Sequence, residues 1–146
     1  MTKVLVALDE SPTSLRAARE AARLFPNAEV LVVNVIRQVV PWGLVGEFGA
    51  VYPVALVDLP VEEQSTDEIV ALAGSAGLDD VEVITVEGDP AAAICAAAEA
   101  HDVDVVVIGS HHKGMLRRLF DPSVAEAVVH RTHRPVLVVS ESPRTA

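Results

Sequence analysis

The chain is short of cysteine, aromatics and basic residues, and each shortage excludes something. A single cysteine in 146 residues, Cys95, leaves no internal disulfide and no paired-Cys metal motif. Its alanine-rich, helix-like surroundings mark it as a buried packing residue. Only three Phe, one Trp and one Tyr accompany a composition that is 51% apolar, so Val, Leu, Ile and Ala must build the core. Eleven Lys and Arg stand against 21 Asp and Glu, for a formal net charge of -10. That balance argues against non-specific nucleic-acid binding, which needs a basic face, and favours solubility. No apolar run approaches the ~20 residues of a membrane span. The opening Met1-Thr2-Lys3-Val4 runs straight into a strand pattern without signal-peptide features. A soluble, cytoplasmic protein with no membrane association is expected.

The length suits one domain, since domains commonly run ~100–150 residues, and the whole chain 1–146 is read as one, with a polar tail from Ser140 to Ala146. Lys3 to Leu8 is a short apolar run stopped by Asp9-Glu10-Ser11-Pro12, where Ser11 is a helix cap and Pro12 the first helical residue. The helix runs to about Phe25, with Leu15, Ala18, Ala22 and Phe25 expected to face inward. A second apolar strand spans Val30 to Ile36, broken only by Asn34. From Arg37 to Pro60 prolines and glycines interrupt an otherwise apolar stretch. So long a loop is either folded over its own sheet or serves as a lid or subunit contact. A helix over 61–76, with Ile69, Val70, Leu72 and Ala73 inward and Gly77 behind it, precedes a strand over 81–86. Pro90 then opens an alanine-rich helix ending near His101, and Pro135 to Val139 forms the last strand.

Between those two elements lies VDVVVIGSHHKGMLRRLFDPSV, Val103 to Val124. Val105-Val106-Val107-Ile108 is apolar on both faces, as in the central strand of a covered parallel sheet. The segment then breaks at Gly109 into a loop carrying His111, His112, Lys113, Arg117 and Arg118, and opens a helix at Ser123. Cations just past the carboxyl end of a buried strand, beside a helix N-terminus, suit an anionic ligand such as phosphate.

Five strands alternating with four helices predict an α/β fold, a single-domain, doubly wound, five-stranded parallel sheet with helices on both faces. Placing the two most apolar strands centrally gives the order 3-2-1-4-5. The switch point then lies between the first and fourth strands, whose ends present Asp9 and Gly109.

Five marks fall in order along this pattern: Ala7-Leu8-Asp9-Glu10-Ser11, Val32-Val33-Asn34-Val35-Ile36, Gly88-Asp89-Pro90 with Ile94, Ile108-Gly109-Ser110-His111, and His133-Arg134-Pro135-Val136-Leu137-Val138-Val139. With these the chain resembles the universal stress protein family over nearly its whole length. In the nucleotide-binding branch of that family the loop after the fourth strand reads G-x2-G-x9-G-[ST]. Gly109 and Ser123 hold the first and last positions here, while His112 and Pro122 replace the two inner glycines. Histidine does not adopt φ > 0 or admit a close phosphate cheaply, and proline removes an N–H donor. Asp121 adds a negative charge nearby. Gly114 offers a displaced flexible point, and Lys113, Arg117 and Arg118 supply positive charge. Ser123-Val124-Ala125-Glu126 is a capping-box pattern, and a Ser123 engaged as a cap is not engaged on a phosphate.

The resemblance implies that Asp9 and Val35 contact the adenine side of ATP or AMP and Gly109 the ribose region. It assigns the phosphates, with Mg²⁺ as an optional companion, to His112, Ser123 and Val124. Plainer readings stand beside these: Asp9 as a helix-entry residue, His112 as an exposed loop histidine, Arg117 and Arg118 as a solvated loop face. Two functions follow. One is a stress-response regulatory protein that binds nucleotide through a partly degraded loop; the other is a nucleotide-free homodimeric interaction protein of the same family. Both imply a further protein partner, which the sequence does not specify. An enzyme is not expected, since there is no nucleophile elbow, no GxxxxGK[ST] loop and no Ser–His–Asp set, although slow ATP hydrolysis stays open. Metal binding by His111, His112, His130 and His133 has little support without paired Cys or carboxylate motifs. The last strand is expected at the sheet edge, pairing through Val136 and Val138 into a C2 homodimer, the seam that the resemblance also implies.

Overall fold

The structure, a computed structural model, describes residues 1–36, 65–110 and 122–140, without the side chains of Pro122 and Ser123. The 37–60 loop, His111, His112, Lys113, Arg117, Arg118 and the tail beyond Ser140 lie outside the described residues. The elements in chain order are β1 (Lys3–Ala7), α1 (Pro12–Leu24), β2 (Glu29–Ile36), α2 (Thr66–Ser75), β3 (Glu82–Glu87), α3 (Pro90–Ala100), β4 (Val105–Ser110), α4 (Pro122–Arg131) and β5 (Val136–Ser140). The five strands form one parallel sheet in the order β3-β2-β1-β4-β5, as expected from the sequence.

The period-two alternation of side chains along a strand divides the core between the two faces. Val4, Val6 and Leu8 join Val32 and Val107 under α1 and α2, while Leu5, Ala7 and Leu31 join Val106 and Ile108 under α3 and α4. β1 is the most enclosed strand, with Val4, Leu5 and Val6 all 0% exposed. Burying each such aliphatic side chain contributes roughly 1.5–3 kcal/mol of transfer free energy.

The caps follow the local chemistry. Ser11 caps α1 by accepting from the Ser14 N–H, with Pro12 behind it. Ser65 and Glu68 form a reciprocal capping box at α2. Asp89 caps α3 by accepting from the Ala92 N–H at 3.0 Å. Gly77, at φ +90, turns the chain out of α2 in the left-handed region where a side chain is disfavoured.

Several sequence expectations shift. The buried stripe of α1 is Thr13, Ser14, Ala17, Ala18 and Ala21, whereas Leu15, Ala22 and Phe25 are only partly buried. Small residues let the helix axis approach the sheet, and the bulkier ones flank that contact. Val70 is 44% exposed, so only Ile69 and Ala73 of α2 are fully inward. Cys95 is partly rather than fully buried. Helix α4 begins at Pro122, one residue before the expected start, so Ser123 sits inside the first turn and not at its cap.

Candidate functional site

The chain leaves β1 at Ala7 and enters α1 at Pro12, and in the connection between them Asp9 and Ser11 form a largely buried polar network with Ser14 of α1. Ala7 lies opposite Val33, and the Leu8 N–H still donates to the Val33 carbonyl at 3.1 Å. Asp9 therefore emerges beside the end of β2, whose last residues before Ile36 are Asn34, 4% exposed, and the half-buried Val35. On the other side β1 pairs with β4, whose end carries Ile108 and Gly109. The switch point of the sheet thus brings Asp9, Val35 and Gly109 to one end of three adjacent strands.

Asp9 is 5% exposed and its carboxylate is anchored on one oxygen only. Oδ1 accepts from the Ser11 N–H at 2.7 Å and from the Ser14 hydroxyl at 2.7 Å. Ser14 Oγ in turn accepts from the Asp9 N–H at 3.0 Å, and lies 2.8 Å from the Asp9 carbonyl and 3.1 Å from the Ser11 carbonyl. Its single proton goes preferentially to the charged partner, because charge-assisted bonds are the stronger ones. Oδ2 is buried and has no hydrogen-bond partner. A buried unpaired acceptor of this kind costs about 1–3 kcal/mol, more when it is charged. Both side-chain bonds of Asp9 are made at the entry of α1. Ser11, not Asp9, caps α1, and Asp9 retains an oxygen with nothing to bind.

Gly109 serves a packing need. A Cβ at this position would lie 2.7 Å from both Cγ2 and the carbonyl oxygen of Thr13, so the first turn of α1 rests directly on the strand end. The groove between them is lined by Ala7, Ser11, Thr13, Ser14, Ile108 and Gly109 and is too narrow to enclose a water molecule, so it is a notch at the strand ends rather than a formed ligand pocket.

Of the phosphate-side residues, His112 lies outside the described residues, as does the side chain of Ser123. Val124 is 6% exposed and packs in the α3/α4 core, so only its backbone N–H, in the first turn of α4, is placed to meet an anion. Among the described residues no three His, Cys, Asp or Glu side chains gather as metal ligands. Ser14 and Thr13 were not singled out from sequence. Their signal was three hydroxyls within four residues, Ser11, Thr13 and Ser14, where helix formers are expected. Such side chains favour local bonds to the backbone.

The parallel sheet in the order β3-β2-β1-β4-β5 places the chain among the doubly wound α/β domains. Comparison with known proteins narrows that placement. The model of the universal stress protein family matches residues 1–140. Universal stress protein MJ0531 of Methanocaldococcus jannaschii is 32% identical over 144 residues, covering 95% of this chain and 82% of that protein. The solved structure of hypothetical protein MJ0577, from the same organism, superposes with a TM-score of 0.70 at 27% identity, covering 98% of both chains. A universal stress protein solved in complex with cAMP shares the fold at 20% identity and a TM-score of 0.62, over 97% of this chain and 98% of that one. The chain belongs to the universal stress protein family.

Proposed function

We propose that this protein is a cytoplasmic, non-enzymatic stress-response regulator that binds an adenine nucleotide, ATP or AMP, where β1 and β4 diverge. The observation that carries the reading is Asp9 Oδ2, a buried acceptor without a partner at the switch point. An exocyclic amino group of adenine is a donor that would satisfy it, with Val35 against the base. The cAMP complex of a protein of this fold supports an adenine-containing occupant. His112, Ser123 and the Val124 N–H are the candidate phosphate contacts, with Mg²⁺ as the counter-ion that the titration below includes and omits. No helix among the described residues is long and apolar enough to cross a membrane.

Isothermal titration of ATP, with and without Mg²⁺, into protein checked for carried-over nucleotide tests the reading. Saturable heat that disappears in Asp9→Ala is expected. No heat up to millimolar ATP, with no nucleotide in the extract, would favour the second reading, a nucleotide-free interaction protein. One observation speaks for that alternative: α4 opens on Pro122, which has no N–H to offer a phosphate where the motif has a glycine.

Both readings include a homodimer through β5. This strand is at the sheet edge, and Val138 is 40% exposed upon it. Val138→Asp is expected to run as a monomer in size-exclusion chromatography with light scattering. A variant that stays dimeric removes the seam.

A further inference from the structure

We infer that Ser14 is the positioning residue that gives the Asp9 site its choice of base, by pinning one carboxylate oxygen so that the other can only accept. This rests on the nucleotide reading above and adds to it a residue and a rule. Ser14 is 3% exposed, and its hydroxyl meets Asp9 at three atoms: N, O and Oδ1. Together with the Ser11 N–H it fills both lone pairs of Oδ1. Neither bond reaches Oδ2, so the carboxylate is fixed in orientation while half of its capacity is unused. A donor brought to Oδ2 gains a charge-assisted bond in a water-poor place, and an acceptor brought there meets a negative oxygen that cannot turn away.

Amino-purines and oxo-purines differ at this point. The 6-amino group of adenine donates, whereas the 6-oxo group of hypoxanthine accepts. A rigid Asp9 should therefore bind ATP and reject ITP. Removal of the Ser14 hydroxyl takes away one of the two bonds that hold Oδ1 and leaves the Asp9 N–H unpaired. The carboxylate gains freedom to rotate, and the penalty against ITP falls. A residue that only supported the fold would weaken both nucleotides in proportion, leaving their ratio unchanged.

The experiment is titration of ATP and ITP into the full chain, as wild type, Ser14→Ala, Ser14→Thr and Asp9→Asn, with thermal unfolding followed in parallel. The wild type should prefer ATP by about tenfold or more, the scale of one charge-assisted bond. Ser14→Ala should lose most of that ratio, Ser14→Thr should keep it through its retained hydroxyl, and Asp9→Asn should abolish or reverse it. If Ser14→Ala does not fold, Ser14→Cys, with its weak S–H donor, should show an intermediate ratio. An unchanged ratio in Ser14→Ala, or in Ser14→Cys where that is the folded variant, overturns the role of Ser14 and leaves nucleotide binding standing. Equal binding of ATP and ITP by the wild type overturns the base rule. Binding of neither by the wild type defeats the nucleotide reading itself, and this inference with it.

Discussion

At the amino end of the sheet, Arg134 donates to Glu99, to Asp102 at 2.7 Å and to the Val103 carbonyl at 3.2 Å, joining the turns that enter β4 and β5. At the carboxyl end, Asp9 is held by Ser11 and Ser14 and keeps one oxygen unpaired. The first cluster lies largely in water, with Asp102 86% and Glu99 49% exposed. Its guanidinium is engaged by two carboxylates and a carbonyl. The second is buried and incomplete. Exposed ion pairs contribute little to stability because water screens them and held side chains lose entropy. A buried unpaired carboxylate oxygen detracts from stability. A fold that keeps such a group at its switch point is compatible with a site that a ligand completes, and strained or unsatisfied groups cluster at functional sites for that reason.

The largest way to break the carboxyl end is Gly109→Ala. Its new Cβ would meet Thr13 backbone at 2.7 Å, and a backbone carbonyl cannot swing aside like a side-chain tip. Destabilisation by about 1–3 kcal/mol is expected, the scale of overpacking. Near 150 residues that lowers the midpoint by roughly 2–4 °C per kcal/mol. A midpoint unchanged in differential scanning calorimetry would mean that α1 does not rest on β4 in solution. A smaller effect of opposite sign is expected from Asp9→Asn in the absence of nucleotide. A neutral amide costs less to bury without a partner than a carboxylate does, so the variant should unfold at the same temperature or a higher one. A clear fall would mean that Oδ2 has a partner in the free protein.

The frame of this comparison was legible in the sequence and its detail was not. Strand order followed from the alternation of elements and from the two most apolar runs, because burial on both faces leaves its mark in residue type. Asp9 and Gly109 were placed at the switch point by that order alone. The roles within the site were harder, since they depend on distances between residues of different elements. Gly109 reads as a phosphate-loop glycine by motif, and the structure adds a packing requirement, its contact with Thr13, about a hundred residues away in the chain. The inward face of α1 was legible in part: Ala18 is buried and Leu15, Ala22 and Phe25 pack against the core at its flanks, but helical spacing counts large apolar residues, whereas a helix lying close on a sheet also buries small and polar ones, here Thr13, Ser14, Ala17 and Ala21. Val124 reads as a phosphate neighbour by motif and as a core residue by burial, and only its N–H can serve both.

The smallest effect concerns Arg134, and pH gives it a signature. The hydrogen bond from Arg134 holds the Glu99 carboxyl below its ordinary value of 4.5, with the charges of Arg134 and His133 adding to the same direction. A carboxylate whose folded value is depressed stabilises the fold above its unfolded value, and that contribution is lost as pH falls through the folded one. Arg134 itself is pushed further upward by Glu99 and Asp102 and stays charged throughout. Arg134→Ala should therefore lower the unfolding midpoint slightly at pH 7, by less than Gly109→Ala does. The gap between variant and wild type should narrow as pH drops below about 4.5, where the unfolded-state carboxylate takes up its proton. Added salt at pH 7 should narrow it as well, because the partners are exposed. A gap constant from pH 7 to pH 3 would assign the effect of Arg134 to its bond with the Val103 carbonyl, which carries no titrating group. The amino end would then be tied by a neutral-acceptor bond, and its contrast with the carboxyl end would lie in satisfied geometry rather than in charge.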